Sequence, residues 1–153
     1  MQSRWYRFAD LSAGTLHDML LLRQSVLVVE QASPFPDLDG RDPVALHLAL
    51  HDGDADGDAP MPVGYARVFG PDAETGTTSF GRLAVAPAWR GKALGRRLVA
   101  ECLERLARDW PEHDVQISAQ LYLENFYGSF GFRRVSDVYD DVGIDHIDMR
   151  LSR

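Results

Sequence analysis

The sequence predicts a mixed α/β (α+β) domain. Three observations support it: about seven short runs with strand-like alternation, two long stripes of apolar residues at helical spacing, and the interleaving of the two kinds along the chain. No segment repeats another, and no linker is long enough to divide the chain, so residues 1–153 are expected to form a single domain near the commonest domain size.

Taken in order, Trp5, Tyr6 and Phe8 open a first strand. Ser12 suits a helix N-cap, and Leu16, Met19, Leu20, Arg23 and Leu27 follow at helical spacing until the pattern fades near Glu30 and Gln31. Pro34, Pro36, Asp39, Gly40 and Pro43 make the next stretch a loop. Residues 44–51 and 63–69 read as the two strands of a hairpin across a Gly/Asp/Pro turn at 52–60. Residues 77–86 form a further strand, stopped by Pro87.

Residues 91–110 carry the clearest helical stripe, with Leu94, Leu98, Cys102 and Leu106 at four-residue steps and Val99 and Leu103 beside them, and Pro111 ends it. A strand at 115–119, a short helix at 121–130 capped by Gly131, and strands at 132–135 and 144–151 complete the chain.

The formal charge of −7, from 23 acidic and 16 basic residues, disfavours nonspecific nucleic-acid binding, which needs a surplus of Lys and Arg. It suits a cationic substrate such as an amine. No apolar run of about eighteen residues is present, so no membrane span is expected. The stretch MQSRWYRFADLS lacks an apolar block followed by a cleavage site, which makes the cytoplasm the expected location. Cys102 has no cysteine partner and sits in an apolar stripe, so a buried, unreactive thiol is expected. Residues 52–58, DGDADGD, begin like a calcium loop, but the twelfth position is Val63 rather than a bidentate Glu. A solvated hairpin turn is the expectation, with no metal site.

The informative join runs from strand to helix, RLAVAPAW and then RGKALGRRL. Small residues at Gly91, Ala93 and Gly95 let the backbone approach a ligand closely, and the N–H groups of a helix start converge on an anion with the helix dipole behind them. Arg90, Lys92, Arg96 and Arg97 add positive charge. Alone, the segment is equally a basic, solvated helix start. It lacks the spacing of an ATP-binding P-loop or of a dinucleotide fingerprint.

Two motifs in the right order narrow the reading. Leu83-Ala84-Val85, Pro87 and RGKALGRRL resemble the acyl-coenzyme motif [QR]-x-x-G-x-[GA] of the GNAT superfamily, with Ala93 standing where glycine is usual. Residues 125–132, NFYGSFGF, are similar to the family's F-Y-x-x-x-G-F segment. The resemblance extends to the ElaA branch through residues 22–31, 36–40, Ala119 and Gln120, Val138 and Tyr139, and 143–149, where Asp145 replaces an expected proline.

That resemblance implies a GNAT fold: a mixed central sheet of about seven strands, splayed at the coenzyme site and flanked by about four helices. It implies acetyl-CoA as cosubstrate and direct transfer to an amine, either a small molecule or a protein amino group. Leu83, Ala84 and Val85 would offer main-chain contacts to the coenzyme arm, and Arg90, Gly91, Lys92, Ala93, Leu94, Gly95 and Arg96 would surround the pyrophosphate. Gln120 and Asn125 would either reach the arm or cap the short helix. Tyr127 matches the family's tyrosine and is the expected acid to the leaving thiolate.

The base stays open among Glu30, Asp39, His47 and His146, or a water chain, and the same four are candidates for acceptor binding. Arg82 would either bind an acceptor carboxylate or pair with an acid. Two other readings stand beside transfer: a noncatalytic acyl-CoA sensor, and an enzyme like the acyl-homoserine-lactone synthases. Oligomeric state is open, with a homodimer as the common case.

Overall fold

A computed structural model describes residues 1–53 and 60–153. Residues 54–59 of the acidic turn read at 52–60 lie outside the described residues. Among the described residues, eight strands form two antiparallel sheets. The first has the order β1 (Gln2–Arg7), β2 (Leu46–His51), β3 (Gly64–Phe69), β4 (Ser79–Val85). The second centres on β8 (Ile144–Leu151), flanked by β5 (Val115–Gln120) and β6 (Arg133–Arg134), with β7 (Tyr139–Asp141) also paired to β8. The helices are α1 (Ala13–Arg23), α2 (Leu94–Asp109) and the short α3 (Glu124–Gly128).

The α/β class is as expected, and the counts differ in a way that burial explains. All three residues of β7 lie on the surface, so it carries no apolar alternation for a sequence reading to detect. Its partner β8 supplies the ladder, from Tyr139 opposite His146 to Asp141 opposite Ile144. The first helix ends as expected at Glu30, but its last seven residues, Gln24–Glu30, are wound as a π-helix. Ser12 is the cap, its side chain accepting a hydrogen bond from the Thr15 N–H at 3.0 Å.

β2 and β3 are buried on both faces because a helix covers each face. Alternate residues therefore join different cores. Leu48, Leu50, Ala66 and Val68 pack with Leu98, Val99, Cys102 and Leu106 of α2, whereas Ala49, Tyr65 and Ala84 pack with Met19, Leu22 and Val26 on the α1 side. The four-residue stripe of α2 is buried as its spacing predicts, and burial drives the Cys102 thiol far above its ordinary pKa. Among the described residues no helix is long and apolar enough to cross a membrane.

The two sheets meet at one point. Thr78 and Val115 form an isolated parallel bridge, tied by the Thr78 N–H to Asp114 O and the Gln116 N–H to Thr78 O, both at 2.9 Å. Beyond it β4 and β5 form no ladder and diverge, so the sheets open into a V.

Candidate functional site

The V is a cleft of about 200 Å³. Gly81, Arg82 and Leu83 of β4 form one wall, and Ile117, Ser118, Ala119 and Gln120 of β5 the other. Tyr122, Leu123 and Tyr127 line it from the α3 region, Leu27, Gln31, Ser33 and Phe35 from the π-helix and the loop after it, and Asp141, Ile144 and His146 from the β7–β8 hairpin.

β4 carries an irregularity here. Its register with β3 steps between Tyr65 opposite Ala84 and Arg67 opposite Gly81, so two β4 residues, Arg82 and Leu83, face a single β3 residue, Ala66. Arg82 absorbs the step with φ +54°, a left-handed conformation that costs a non-glycine residue about 1–2 kcal/mol.

From β4 the chain passes through a 3₁₀ turn, Pro87–Trp89, to the glycine-containing turn. The helix starts at Leu94 rather than at residue 91 because Gly91 and Ala93 both have positive φ, +74° and +57°. No side chain caps α2, so the N–H groups of its first turn lack a side-chain partner. A Cβ placed on Gly91 or Gly95 would meet nothing within 4 Å, which leaves the approach to those N–H groups open.

The left-handed Ala93 explains why glycine suits that position. Ala93→Gly is expected to stabilise the fold by up to about 1 kcal/mol, since relief of left-handed strain exceeds the extra freedom glycine gains on unfolding. Thermal denaturation checks this, and a lower midpoint would contradict it.

Each basic residue around the turn has a partner. Arg90 makes a two-pronged ion pair with Glu30, at 2.7 and 2.9 Å, and also donates to the Val85 carbonyl at 3.3 Å. The hydrogen bonds from Arg90 hold the Glu30 carboxyl below its usual range. The Lys92 ammonium sits 4.1 Å from the Trp89 ring centre. Arg96 donates to Ser129 Oγ at 2.9 Å and covers the Phe130 ring. Arg97 holds Glu101 and Ser3.

Tyr127 is 7% exposed and set among the rings of Phe80, Phe126 and Phe132. Burial raises its phenol well above the ordinary tyrosine pKa, so it is protonated at neutral pH. Its ring lines the cleft, and its hydroxyl has no hydrogen-bond partner among the described residues.

Of the four residues left open as a base, the structure brings one into the cleft. His146 lines it, and its Nδ1 lies 2.8 Å from the Ile144 carbonyl, which only accepts. Nδ1 therefore carries the proton and leaves the Nε2 lone pair free in the neutral ring. Tyr139 stacks on the imidazole and is itself anchored, bonded to Ser118 and donating to Asp148 at 2.7 Å.

His47 is fully buried, bonded to the Tyr65 hydroxyl at 2.7 Å and the Asp42 carbonyl at 3.0 Å, and burial lowers its pKa. It is a core histidine and does not line the cleft. Asn125 is exposed on α3 and also lies off the cleft lining, whereas Gln120 lines it and donates to Gln31 at 3.0 Å.

Asp39 is engaged in a feature that the sequence reading missed. Three arginines and three aspartates close into a ring of alternating charge. Arg23 bridges Asp37 at 3.1 Å and Asp42 at 2.8 Å, Arg67 bridges Asp42 at 2.9 Å and Asp39 at 2.6 Å, and Arg82 bridges Asp39 at 3.3 Å and Asp37 at 2.8 Å. Arg23 and Arg67 are 0% and 3% exposed. The Arg67 hydrogen bond holds Asp39 far below the usual carboxylate range, and Arg82 is paired with acids. Asp37 and Asp39 are thus neutralised and add little attraction for a cationic acceptor. The one available signal was Arg23 itself, a charged residue at an apolar-stripe position, with acids at 37, 39 and 42 in the next loop.

Comparison with known proteins places this geometry. The family model described as an acetyltransferase (GNAT) domain matches residues 57–153. The UPF0039 protein sll0451 of Synechocystis is 44% identical over 145 residues, covering 95% of this chain and 91% of that protein. The protein ElaA of Escherichia coli is 38% identical over 143 residues, covering 92% of this chain and 90% of ElaA. The crystal structure of E. coli ElaA superposes with a TM-score of 0.84 over 97% of both chains. An acyl-CoA N-acyltransferase from Pseudomonas aeruginosa superposes with a TM-score of 0.86 at 35% identity, again over 97% of both chains.

Proposed function

Because this chain belongs to the GNAT acetyltransferase family, in its ElaA-like branch, we propose that it transfers an acetyl group from acetyl-CoA directly to an amine. The observation that carries this reading is the cleft between the diverging β4 and β5. A buried, protonated and unpartnered Tyr127 lines it, and β4 leads on from it to the uncapped start of α2. The free N–H groups and small residues of that turn fit a pyrophosphate, and the partnerless outer edge of β4 fits the amide-bearing arm.

The coenzyme supplies an acetyl thioester, whose C–S bond breaks as the amine nitrogen forms the new C–N bond. Tyr127 gives its hydroxyl proton to the departing sulfur, as a donor is needed by a thiolate with a free pKa of about 8.5. An alkyl ammonium with a pKa near 10 must first lose a proton, at about 4 kcal/mol at neutral pH. Nε2 of His146 is the acceptor for that proton. Glu30 is consumed by Arg90 and serves to orient the turn. The acceptor enters between the π-helix, the loop after it and the β7–β8 hairpin, where Asp141 is the only acidic residue of the lining among the described residues. It is a small amine or an amino group of a protein.

Calorimetric titration with acetyl-CoA should show binding at micromolar concentration, and no heat of binding would overturn the reading. A panel of small amines and peptides with free amino groups, followed by release of free thiol, should yield at least one acceptor. Binding with no thiol release across the panel is the result a noncatalytic acyl-CoA sensor would give.

A further inference from the structure

The ring of three arginines and three aspartates has no part in the chemistry just described, yet two of its arginines meet at one structural feature. Arg82 sits at the step in β4, and Arg67 of β3 sits at the edge of the same step. The arginines on both strands of the irregularity are joined through Asp39. A left-handed φ at a residue other than glycine persists only where surrounding contacts fix it. At Arg82 the side chain supplies such contacts: Asp37 Oδ1 at 2.8 Å, the Asp37 carbonyl at 3.3 Å, Asp39 Oδ2 at 3.3 Å, and the Phe35 ring 4.9 Å below the guanidinium.

The other attachments converge on the same cleft. Arg23 is the last residue of α1, immediately before the π-helix that contributes Leu27. Asp37 and Asp39 lie in the loop that contributes Ser33 and Phe35. The ring carries three positive and three negative charges, so its net charge is zero and it acts on the cleft through shape. Arginine suits this role because its planar fork bridges two carboxylates in a fixed geometry.

We propose that the ring is a positioning device for the acyl-coenzyme site. Arg82, held by Asp37 and Asp39, locks the bulge of β4 in the form that presents the β4 edge to the coenzyme arm, and Arg23 sets the facing wall from the same ring. This rests on the reading that the arm lies along β4. Asp37 and Asp39 do not line the cleft, so their influence on binding must pass through the arginines they hold and the loop that carries them.

The test compares wild type with Asp37→Asn, Asp39→Asn, Arg82→Gln and Arg82→Lys. The dissociation constant for acetyl-CoA and the thermal midpoint are measured for each, with binding followed at least 20 °C below that variant's own midpoint. The three charge-removing variants should each weaken acetyl-CoA binding about tenfold while still folded, and Arg82→Lys should recover part of the loss. Asp39, whose side chain is 24% exposed, keeps the test available if Asp37→Asn does not fold.

Lower midpoints with acetyl-CoA affinity unchanged for both aspartate variants would overturn the proposal and leave the ring as a staple of the fold. Weakening by Arg82→Gln alone would overturn it too, by assigning Arg82 a direct contact. Failure of the wild type to bind acetyl-CoA would be a separate result, and it would sink the coenzyme reading itself.

Discussion

Tyr127→Phe is expected to lower kcat for acetyl transfer about 100-fold while leaving acetyl-CoA affinity within about twofold, in line with the usual contribution of a positioned general acid. The split follows from where the side chain's atoms lie. The ring is held by Phe80, Phe126 and Phe132 and stays in place in the variant, so the cleft keeps its shape. The hydroxyl has no partner among the described residues, so its removal orphans no buried donor or acceptor. Thermal stability should therefore stay near that of the wild type.

What is lost is a proton donor whose burial keeps it protonated across the neutral range. A loss confined to kcat removes an interaction made only in the transition state, whereas a rise in KM at constant kcat would mean that the hydroxyl merely binds. Steady-state kinetics with the acceptor identified by thiol release decides between them, and an unchanged kcat would remove Tyr127 as the acid.

The largest loss of stability is expected from Asp42→Asn. Asp42 holds Arg23 at 2.8 Å and Arg67 at 2.9 Å, its side chain is 7% exposed, and both arginines are buried. Removing its charge leaves two guanidinium groups without their shared counter-charge, a kind of change that costs about 3–5 kcal/mol. In a domain of this size that corresponds to a fall in midpoint of roughly 10 °C. Glu124→Gln, which removes an exposed contact 3.9 Å from Arg134, should cost under about 1 kcal/mol. Comparable losses in the two variants would contradict a special role for the ring.

Acid should reproduce the Asp42 effect in the wild type. The Arg67 hydrogen bond depresses Asp39. Burial opposes the charge on Asp42, but its contacts with Arg23 and Arg67 prevail and lower it as well. Groups with depressed folded values contribute stability that is complete above the unfolded pKa of about 3.9 and disappears as pH falls through the folded values. Denaturant midpoints measured against pH should thus fall steeply below about pH 4, and less steeply in Asp42→Asn.

The proposed coenzyme half of the site could be read from the sequence because it rests on local backbone chemistry. Small residues and a helix start are properties of consecutive residues, and RGKALG carries both, whereas NFYGSFGF stood out by its resemblance to the family's segment. The acceptor half was less so. Glu30, Asp39, His47 and His146 are alike in sequence as titratable groups, and no local pattern says which of them an arginine neutralises or the core encloses. Glu30 meets Arg90 across 60 positions, and Asp39 meets Arg67 across 28. The hairpin that carries Tyr139 and Asp141 went unseen because an exposed strand leaves no apolar alternation.

By itself, then, the sequence determined the α/β class, the order of most elements and the small-residue turn before α2. These follow from periodicity, capping and turn chemistry acting within a few residues. The tertiary structure alone decided that β4 and β5 part after a single bridge, that Arg82 takes a left-handed conformation, and that three arginines find three aspartates. Each of these depends on charge pairs and strand edges brought together across long stretches of chain, where Coulomb attraction and the demand for buried partners act on distance in space and are blind to distance in sequence.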